Sequence, residues 1–483
     1  MDGFQLEMNF DDPGSNIFSR RLQSGDFFIL FEVPAPNRDT ELQVAGERLL
    51  ETADAVAGIN DIPIGLALTS KYQYHNSWDV ADFASFLPKE GRGRHLVYLS
   101  GRNTGVDEIK NTARLLSSAG FHNLVAVSGN ALPDENIKQT SKRTFTESVN
   151  VIKNIAEWGG SNKLFAGATV NPFKYSIESL LGQYFKMVKK INFGAQFIVS
   201  QLGWDMMKLQ ELRWFLNLRS LDYPTIARLP LLTPEHAERI IAGRVPGCFI
   251  TPEFRKVLKT ELKYSRIQFQ AAQWRRLQLQ AVGAKFLGFS AVQLTEGNSV
   301  ERIRTAARMI AEALDEFPSF EAWITEYREF HGQRQTLPDQ RFFYLFNNLM
   351  SSAQPRETPT MSIPIMPECS MTELNLYKLR KFLFPHANRQ GASERFLFKK
   401  IFAGCKHCSQ CRLPLTKFIC PETCPKGLSN GPCGGTLRNG ECELGGMECI
   451  HNRIFRLANH FKCLHELEDN YIELVSSPSR KNS

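Results

Sequence analysis

The cysteines of this chain are concentrated near its C-terminus, in a spacing that could hold metal. Eight of the eleven lie between residues 405 and 449, and the whole chain before residue 405 contains two. The eight are Cys405, Cys408, Cys411, Cys420, Cys424, Cys433, Cys442 and Cys449. Eight thiolates supply two complete four-cysteine sites, whether the metal is zinc or iron. We therefore predict that this block binds metal.

The spacing within the block favours an iron–sulfur centre. A C-x2-C-x2-C run such as 405–411 gives the three-point arrangement that surrounds one face of a cubane cluster, and a cysteine followed by proline is typical of the fourth ligand. Here that fourth residue, Cys420, comes nine positions after Cys411, whereas bacterial ferredoxins place it four positions on. Zinc sites more often use two separated C-x2-C pairs. We expect at least one [4Fe–4S] cluster, with zinc as the alternative and a disulfide knot or no metal as the third reading.

The bulk composition is that of a globular protein, with 42% hydrophobic and 22% charged residues. The net charge of +8 is spread along the chain, which gives a mild preference for anionic ligands and little reason to expect nucleic acid. The N-terminus is acidic and polar, and no apolar run approaches the roughly 18–20 residues that span a bilayer. We expect a cytoplasmic protein without a membrane partner. In a reducing compartment clustered cysteines more often bind metal than form disulfides.

The elements that precede the cysteines predict a barrel. Eight short apolar runs alternate with helical patterns between about residues 25 and 320. The runs are 27–33, 63–68, 95–100, 123–129, 163–170, 195–201, 225–231 and 285–294. This alternation predicts an α/β fold, a parallel (β/α)8 TIM barrel. An open doubly wound sheet is the rival, and the absence of GxGxxG after the early runs argues against its dinucleotide-binding form.

The chain divides into three parts by composition. Residues 1–330 would form the barrel, and 331–370 a helical extension followed by a linker rich in Pro, Ser and Thr. Residues 371–483 would form a small, mainly helical or irregular cysteine-rich domain, closed by one amphipathic helix over 452–474. Cys248, Cys369 and Cys463 fall outside the metal pattern and are expected to be ordinary thiols.

Polar residues at the ends of the predicted strands are the candidates for chemistry in the barrel, because that is where such barrels place it. Glu32 lies within the first apolar run, and a carboxylate in an apolar setting is suited to general acid catalysis near neutral pH; a structural pairing with Lys or Arg is the alternative. Asn130, Asn171 and Gln201 end three consecutive runs and would suit a flat, hydrogen-bonding flavin or pterin, although each alone could be a turn residue. His95 begins its run, which is typical of a structural histidine.

Four stretches of the barrel resemble the methylenetetrahydrofolate reductases, in order and at suitable spacing. They are FEVPAP, AGFHNLVAVSGN, GATVNPF and VKKINFGAQFIVSQ, within a likeness that covers roughly residues 20–315. The resemblance implies a flavin-containing (β/α)8 barrel, with FAD or FMN, that reduces 5,10-methylenetetrahydrofolate to 5-methyltetrahydrofolate. It implies that Glu32 is the general acid that protonates N10 of the folate, and that Gln201 hydrogen-bonds the folate.

The resemblance also implies a set of flavin contacts. They are His95, Gly129, Asn130, Asn171, Lys189 and Lys190, the two lysines meeting the flavin phosphates. The family commonly has Asp at the position of Asn130. Loss of that negative charge should make the flavin easier to reduce, because the anionic reduced form is no longer repelled.

The cysteine block resembles the C-terminal domain associated with these reductases. The run CPxxCPKGLxNGPCGG, followed by NGxCE and preceded by CxxCxxC, carries this likeness. In some anaerobic C1-metabolising organisms that domain is a separate, MetV-like partner subunit, and here both parts share one chain. Its glycines let the backbone approach a cluster closely and direct N–H groups at its sulfurs.

Two functional hypotheses follow. In the first, the protein is an oxidoreductase of one-carbon metabolism that receives electrons from a donor protein or NAD(P)H, with the C-terminal clusters as a route to the flavin. In the second, it is a catalytically altered folate- or flavin-binding accessory protein, and the cysteine domain docks a reductase or methyltransferase. The reaction could run in either direction, and we expect a homo-oligomer.

Overall fold

The eight predicted strands form a closed parallel barrel in sequence order, in a computed structural model of the chain. This structure describes residues 16–70, 76–132, 134–158, 164–295, 297, 299–333, 342–352, 366–385, 396–406, 408 and 411–473. The strands are β1 (Phe28–Pro34), β2 (Ile64–Thr69), β3 (Leu96–Ser100), β4 (Asn123–Val127), β5 (Phe165–Val170), β6 (Phe197–Ser200), β7 (Thr225–Leu229) and β8 (Ala291–Leu294). Strand β1 pairs with both β2 and β8, which closes the barrel and confirms the predicted TIM-barrel fold.

Helices surround the barrel and continue beyond it. They are α1 (Ile17–Ser24), α2 (Leu42–Ala57), α3 (Val80–Ala84), α4 (Val106–Ser118), α5 (Ile137–Thr140), α6 (Ser148–Trp158), α7 (Ile177–Asn192), α8 (Met206–Leu218), α9 (Pro234–Ile241), α10 (Pro252–Tyr264), α11 (Arg266–Phe286), α12 (Val300–Glu316), α13 (Phe320–Gln333), α14 (Met371–Leu383), α15 (Phe396–Ala403), α16 (Ile450–His460) and α17 (His465–Asp469). Among the described residues, no helix has the length and apolar character needed to cross a membrane.

The barrel interior is filled by large side chains on inward-facing strand positions. Phe28, Phe165 and Phe197 lie in one buried cluster with Phe18 from α1. The Phe18 ring lies edge-on to the rings of Phe28 and Phe197, at centroid distances of 5.6 and 5.4 Å. This end of the barrel is therefore a packed core, which leaves the opposite end for ligands.

Helix α7 joins the barrel to the cysteine-rich domain. Every side chain from Ile177 to Ile191 is buried, because one face of the helix covers the barrel and the other faces the C-terminal domain. Leu181 and Phe185 pack in one apolar cluster with residues of α16. At Gly182 a Cβ would come within 2.8 Å of the Pro432 ring, so only glycine allows this close approach.

Two predicted elements differ from the observed ones. The last apolar run was expected to be strand from residue 285, but α11 continues to Phe286 and β8 begins only at Ala291. The closing amphipathic helix is two helices, α16 and α17, which are separated by a turn where Lys462 has φ of 55°. Both helices pack in one apolar cluster, which contains Phe455 of α16 and Leu467 of α17, so the helical periodicity runs across the turn and overestimated the helix length. Most of the predicted linker lies outside the described residues.

Candidate functional site

A cavity of about 1100 Å³ lies at the end of the barrel where the strands finish, and part of it is open to solvent. Strand ends and the loops that follow them supply most of its wall. Residues 432–434 of the cysteine-rich domain complete that wall from the other side. The cavity is thus shared between the two parts of the chain. Of the predicted site residues, Glu32, Gly129, Asn130, Asn171, Lys190, Gln201 and Cys433 line it.

Glu32 lies in a charged hydrogen-bonding network. Its Oε2 accepts from Arg228 Nη2 at 2.5 Å and from Gln293 Nε2 at 3.1 Å. Its Oε1 has a longer contact, 3.4 Å, with the Thr69 hydroxyl. The prediction that Glu32 lies in an apolar setting is therefore wrong, because Arg228 on β7 brings its guanidinium group to the Glu32 carboxylate.

Arg228 connects two of the predicted site residues. While Nη2 donates to Glu32, Nη1 donates to Gln201 Oε1 at 3.0 Å. Burial alone would lower the pKa of Arg228, but the charge and the hydrogen bond of Glu32 raise it above its ordinary value, so this group stays cationic. Arg228 and Gln293 were missed in the sequence. The available signal was the same as for Glu32, a polar side chain within an apolar strand.

Tyr98 supports this network from the third strand. Its hydroxyl donates to Gln293 Oε1 at 2.7 Å, and the Gln293 amide in turn donates to Glu32. Burial raises the pKa of Tyr98, so the phenol remains a hydrogen-bond donor. The Glu32 carboxylate is thereby held from two directions, by a cation and by an oriented amide.

Asn171 and Gln201 are held by backbone carbonyls at the rim. Asn171 Nδ2 donates to Gly434 O at 2.6 Å and to Gly247 O at 3.1 Å. Gln201 Nε2 donates to Pro246 O at 3.3 Å. Gly247 has φ of 79°, and a Cβ there would lie 2.5 Å from Gly434 O, so the loop after α9 needs glycine at this point. The two amides therefore also fasten this loop and the cysteine-rich domain.

Gly129 and Asn130 follow β4 and present backbone to the cavity. The Gly129 carbonyl accepts from Lys426 Nζ at 3.0 Å, and the Asn130 carbonyl accepts from Arg102 Nη1 at 3.4 Å. Gly129 has φ of 84°, a conformation that favours glycine. The turn after β4 is thus held by one cation from the barrel and one from the C-terminal domain.

The predicted lysine pair on α7 divides between two surroundings. Lys190 lines the cavity and donates to Thr169 O at 2.6 Å, whereas Lys189 points to the cysteine-rich domain and donates to Asn430 O at 3.3 Å. Burial, followed by the charge of Lys186, lowers the pKa of Lys190 to about 7. Lys186, which the sequence analysis missed, also lines the cavity and pairs with Glu147 at 2.6 Å.

His95 lies at the opposite end of its strand from the cavity. It is buried, and its Nδ1 accepts a hydrogen bond from the Leu66 amide at 3.1 Å. Burial and the charges of Arg94 and Arg92 lower its pKa to about 3, so the ring is neutral. The structure therefore does not bring His95 together with the other predicted cofactor residues.

All eleven cysteines lie in the described part of the chain and none forms a disulfide. Cys433 reaches the cavity, and its sulfur lies 3.8 Å from Glu443 Oε2. Glu443 pairs with Lys426 at 2.5 Å, and Lys426 also binds Gly129 O. A cysteine from the metal-binding pattern is thus connected through two charged side chains to the turn after β4.

The eight pattern cysteines fall into two neighbourhoods. The inner set is Cys424, Cys433, Cys442 and Cys449, and the outer set is Cys405, Cys408, Cys411 and Cys420. Burial raises the pKa of Cys449, and the negative charges of neighbouring inner-set thiolates raise it further. Burial and the same neighbours also raise the pKa of Cys442, to about 12, although a backbone hydrogen bond partly opposes them.

The outer set shows the same coupling. Burial, and to a smaller extent the charges of Cys405 and Cys408, raise the pKa of Cys420 to about 12, although a backbone hydrogen bond opposes them. Cys420 and Cys411 also share one apolar cluster. Among the described residues, no three His, Cys, Asp or Glu side chains form a group suited to a metal ion. Thiols that hinder each other's ionisation in this way are the kind that a cationic centre would stabilise as thiolates.

Comparison with known proteins places both parts of the chain. The family profile for methylenetetrahydrofolate reductase matches residues 17–260, just over half of the 483 residues. The profile described as methylene-tetrahydrofolate reductase C terminal matches residues 384–476. No curated protein matches the chain.

Two solved structures match the chain at low similarity. An uncharacterized protein from Clostridium thermocellum, which binds two copies of 5-methyl-5,6,7,8-tetrahydrofolic acid, is 15% identical with a TM-score of 0.42, covering 61% of this chain and 97% of its own. N-acetylneuraminate lyase from Fusobacterium nucleatum is 12% identical with a TM-score of 0.33, covering 64% and 86%. The family profiles are what decide the assignment: the chain belongs to the methylenetetrahydrofolate reductase family, as a barrel followed by that family's C-terminal domain.

Proposed function

We propose that this protein is a flavin-dependent oxidoreductase that interconverts 5,10-methylenetetrahydrofolate and 5-methyltetrahydrofolate, with electrons reaching the barrel through the cysteine-rich domain. One observation carries the proposal. Cys433 and Gly434 line the same cavity as Glu32 and Gln201. A redox centre on the inner set would therefore adjoin the place where folate chemistry is expected.

The residues around the cavity fit a flavin. Arg102 supplies positive charge for its phosphate, a bound phosphate would favour the charged form of Lys190, and the Asn130 side chain is at hand for hydrogen bonds. When bound, the flavin would supply the hydride chemistry, and the protein would position the rings and handle the proton.

Glu32 is the proposed proton-transfer group, and its two oxygens would have different roles. Oε2 is occupied by donors from Arg228 and Gln293, which fix the orientation of the carboxyl group. Oε1 has the weaker contact with Thr69 and is the oxygen suited to exchange a proton with N10 of the folate. In the reductive direction Oε1 would donate that proton, and in the oxidative direction it would accept it. Arg228 would act as a positioning residue for both Glu32 and Gln201.

The eight cysteines would hold metal as two four-thiolate centres. The C-x2-C-x2-C run and the Cys-Pro pairs support [4Fe–4S] clusters, and zinc is the alternative. A cluster on the inner set would be next to the cavity, while one on the outer set would be further along the same domain. This order supports a path that begins at the outer set and ends at the flavin.

The test is to purify the full chain without oxygen and measure its flavin, iron and acid-labile sulfide, then its conversion of methylenetetrahydrofolate with reduced methyl viologen. We expect bound flavin, iron with matching sulfide, and turnover. The Glu32→Gln variant should bind flavin and accept electrons but lose folate turnover. A protein that contains zinc and no iron would refute the electron path, and normal turnover by Glu32→Gln would refute its role.

The accessory-protein hypothesis has one specific observation in its favour. Asn171 and Gln183 line the cavity, yet their amides are bound to carbonyls of Gly434 and Cys433. If the cysteine-rich domain occupies the positions where the flavin would otherwise bind these amides, folate would bind without flavin. Calorimetry that shows methyltetrahydrofolate binding to a flavin-free protein with no turnover would support this second function.

A further inference from the structure

An exposed apolar surface lies on the helix pair that precedes the outer cysteine set. Helix α14 contains no buried side chain between Met371 and Leu383. Of the large apolar side chains on the two helices, Phe382 is 82% exposed, Ile401 74% and Met371 71%. Leu379 and Phe398 are also exposed. We call these five residues, together with the lysines among them, the α14–α15 patch. Leu379 and Phe382 are three residues apart on α14, and Phe398 and Ile401 are three apart on α15, so each pair shares one helix face. Apolar side chains that are exposed together in this way mark interaction sites.

The exposed charged side chains on the two helices are lysines. Lys378 and Lys381 on α14, Lys400 on α15 and Lys406 just beyond it are exposed. In the described segments of this helix pair the acidic residue is Glu373, and it is engaged by Arg456 at 2.8 Å and by the N-cap of α14. An apolar centre with a cationic rim is complementary to an acidic protein surface, and opposite charges at the rim accelerate encounter.

The inner side of the same helix pair forms the wall of the outer set. Phe384 and Ala403, at the ends of the two helices, lie in one buried cluster with Cys411 and Cys420. The Cys405 amide donates to Lys399 O at 3.2 Å, which joins the first cysteine to α15. A partner on the patch would therefore be separated from the outer set by about one helix diameter, roughly 10–12 Å.

We propose that the α14–α15 patch is the docking surface for a small acidic protein that carries one electron at a time. This inference rests on the proposed electron path. In each encounter the carrier would lose one electron, and the iron–sulfur centre that the outer set would hold would gain it. Two encounters deliver two electrons, which together with two protons convert the methylene group of the folate to a methyl group.

The experiment measures reduction of the anaerobically purified full chain by a reduced, strongly acidic bacterial [4Fe–4S] ferredoxin, with reduced methyl viologen as the small-molecule donor. The patch variant is Lys378→Glu/Lys381→Glu. The matched control is Lys256→Glu/Lys259→Glu, which reverses two exposed lysines on α10 of the barrel. The net charge of both variants is the same.

We expect the second-order rate constant with ferredoxin to fall at least tenfold in the patch variant at low salt, with little change in the α10 control. The wild-type rate should decrease steeply with ionic strength. Reduction by methyl viologen should be equal in all three proteins, which shows that the clusters are intact. A further variant, Phe382→Ser/Ile401→Ser, should weaken ferredoxin binding at all salt concentrations.

Each contrary result identifies what fails. If the patch variant matches wild type with ferredoxin, or if the α10 control loses as much, the docking proposal is wrong although the proposed function stands. If native mass spectrometry shows a dimer that the patch variants dissociate, the occupant is a second copy of the chain and the proposal is also wrong. If wild type converts no folate with methyl viologen, the proposed function fails and this inference is withdrawn with it.

Discussion

The two cysteine sets differ in what surrounds them. The inner set is packed against the barrel, where Gln183 donates to Cys433 O at 2.8 Å and Lys174 donates to Gly434 O at 2.9 Å. The outer set lies under a helix pair whose other side is exposed. One set is therefore positioned by the barrel and the other by its own domain.

This difference shows why the C-terminal domain cannot be treated as a separate module. Glu147 of the barrel accepts hydrogen bonds from the amides of Ser429 and Asn430, both at 3.1 Å, and pairs with Lys186. Burial opposes ionisation, but the charge and hydrogen bond of Lys186 and these amides lower the pKa of Glu147 to about 2. A buried charge at the interface makes the docking of the inner set dependent on the barrel, whereas no buried charge pair among the described residues fixes the exposed side of α14.

The largest expected effect comes from removing one ligand from each set. Cys433→Ser should reduce folate turnover at least a hundredfold with any donor, because the damaged centre adjoins the cavity. Cys408→Ser should reduce ferredoxin-driven turnover by a similar factor and retain most of the viologen-driven turnover. Iron content and the two rates measure this. If Cys408→Ser loses turnover equally with both donors, the proposed order of electron transfer, from the outer set to the inner set, is wrong.

Breaking the interface charge pair should be the next largest effect. Lys186→Met leaves the Glu147 carboxylate buried without its cation, which typically costs about 3–5 kcal/mol of unfolding free energy. The control is Arg308→Met, which removes an exposed pair with Glu312 and should cost less than about 1 kcal/mol. Urea denaturation followed by circular dichroism measures both. A similarly small loss of unfolding free energy in the two variants would show that docking of the inner set on the barrel does not depend on the Lys186–Glu147 pair.

The barrel could be predicted because its signals are local. Apolar runs of the right length alternate with helical periodicity, and seven of the eight strands were placed to within two residues at each end. The single large error, residues 285–290, occurred where α11 and β8 are both apolar and buried, so periodicity cannot find the boundary. The closing helix was overestimated for a related reason, since Lys462 breaks it without glycine or proline.

The site was predicted only where one residue carries the signal by itself. Glu32, Asn171 and Gln201 were identified because polar side chains at strand ends point to the cavity. Arg228 was missed because its importance comes from a pairing across the barrel with Glu32, and no local pattern records which strands meet. The contact of Cys433 with the cavity also depends on how two domains dock, which spacing within the cysteine block does not encode.

A smaller effect is expected from the group that links Glu32 and Gln201. Arg228→Lys keeps the positive charge but cannot reach both partners in the forked geometry of a guanidinium. We expect kcat for folate turnover to fall about tenfold through lost positioning, with flavin content and viologen-driven flavin reduction unchanged. Stopped-flow spectroscopy separates the two steps. An equal decrease in flavin reduction would mean that Arg228 acts on the redox side of the cavity instead.

A further expected effect is a pH dependence of stability from the two buried lysines of α7, Lys189 and Lys190. Burial and the charge of Lys186 lower the pKa of Lys190 to about 7, against an ordinary value of 10.5. Between these values the unfolded chain binds more protons than the folded one, so stability should rise with pH, by at most about 1.4 kcal/mol per pH unit. Lys189, whose pKa burial lowers to about 8, should add to this slope only above pH 8.

Two substitutions on α7 separate these contributions. Lys190→Met should remove its part of the slope from pH 7 upward, while Lys189→Met should leave the slope between pH 7 and 8 intact and reduce it only above pH 8. Urea denaturation at pH 7, 8, 9 and 10 measures each slope. If stability rises with pH as steeply in Lys190→Met as in wild type, Lys190 is charged in the folded protein. The cavity wall beside the inner set would then carry one more positive charge than the lowered pKa of Lys190 predicts.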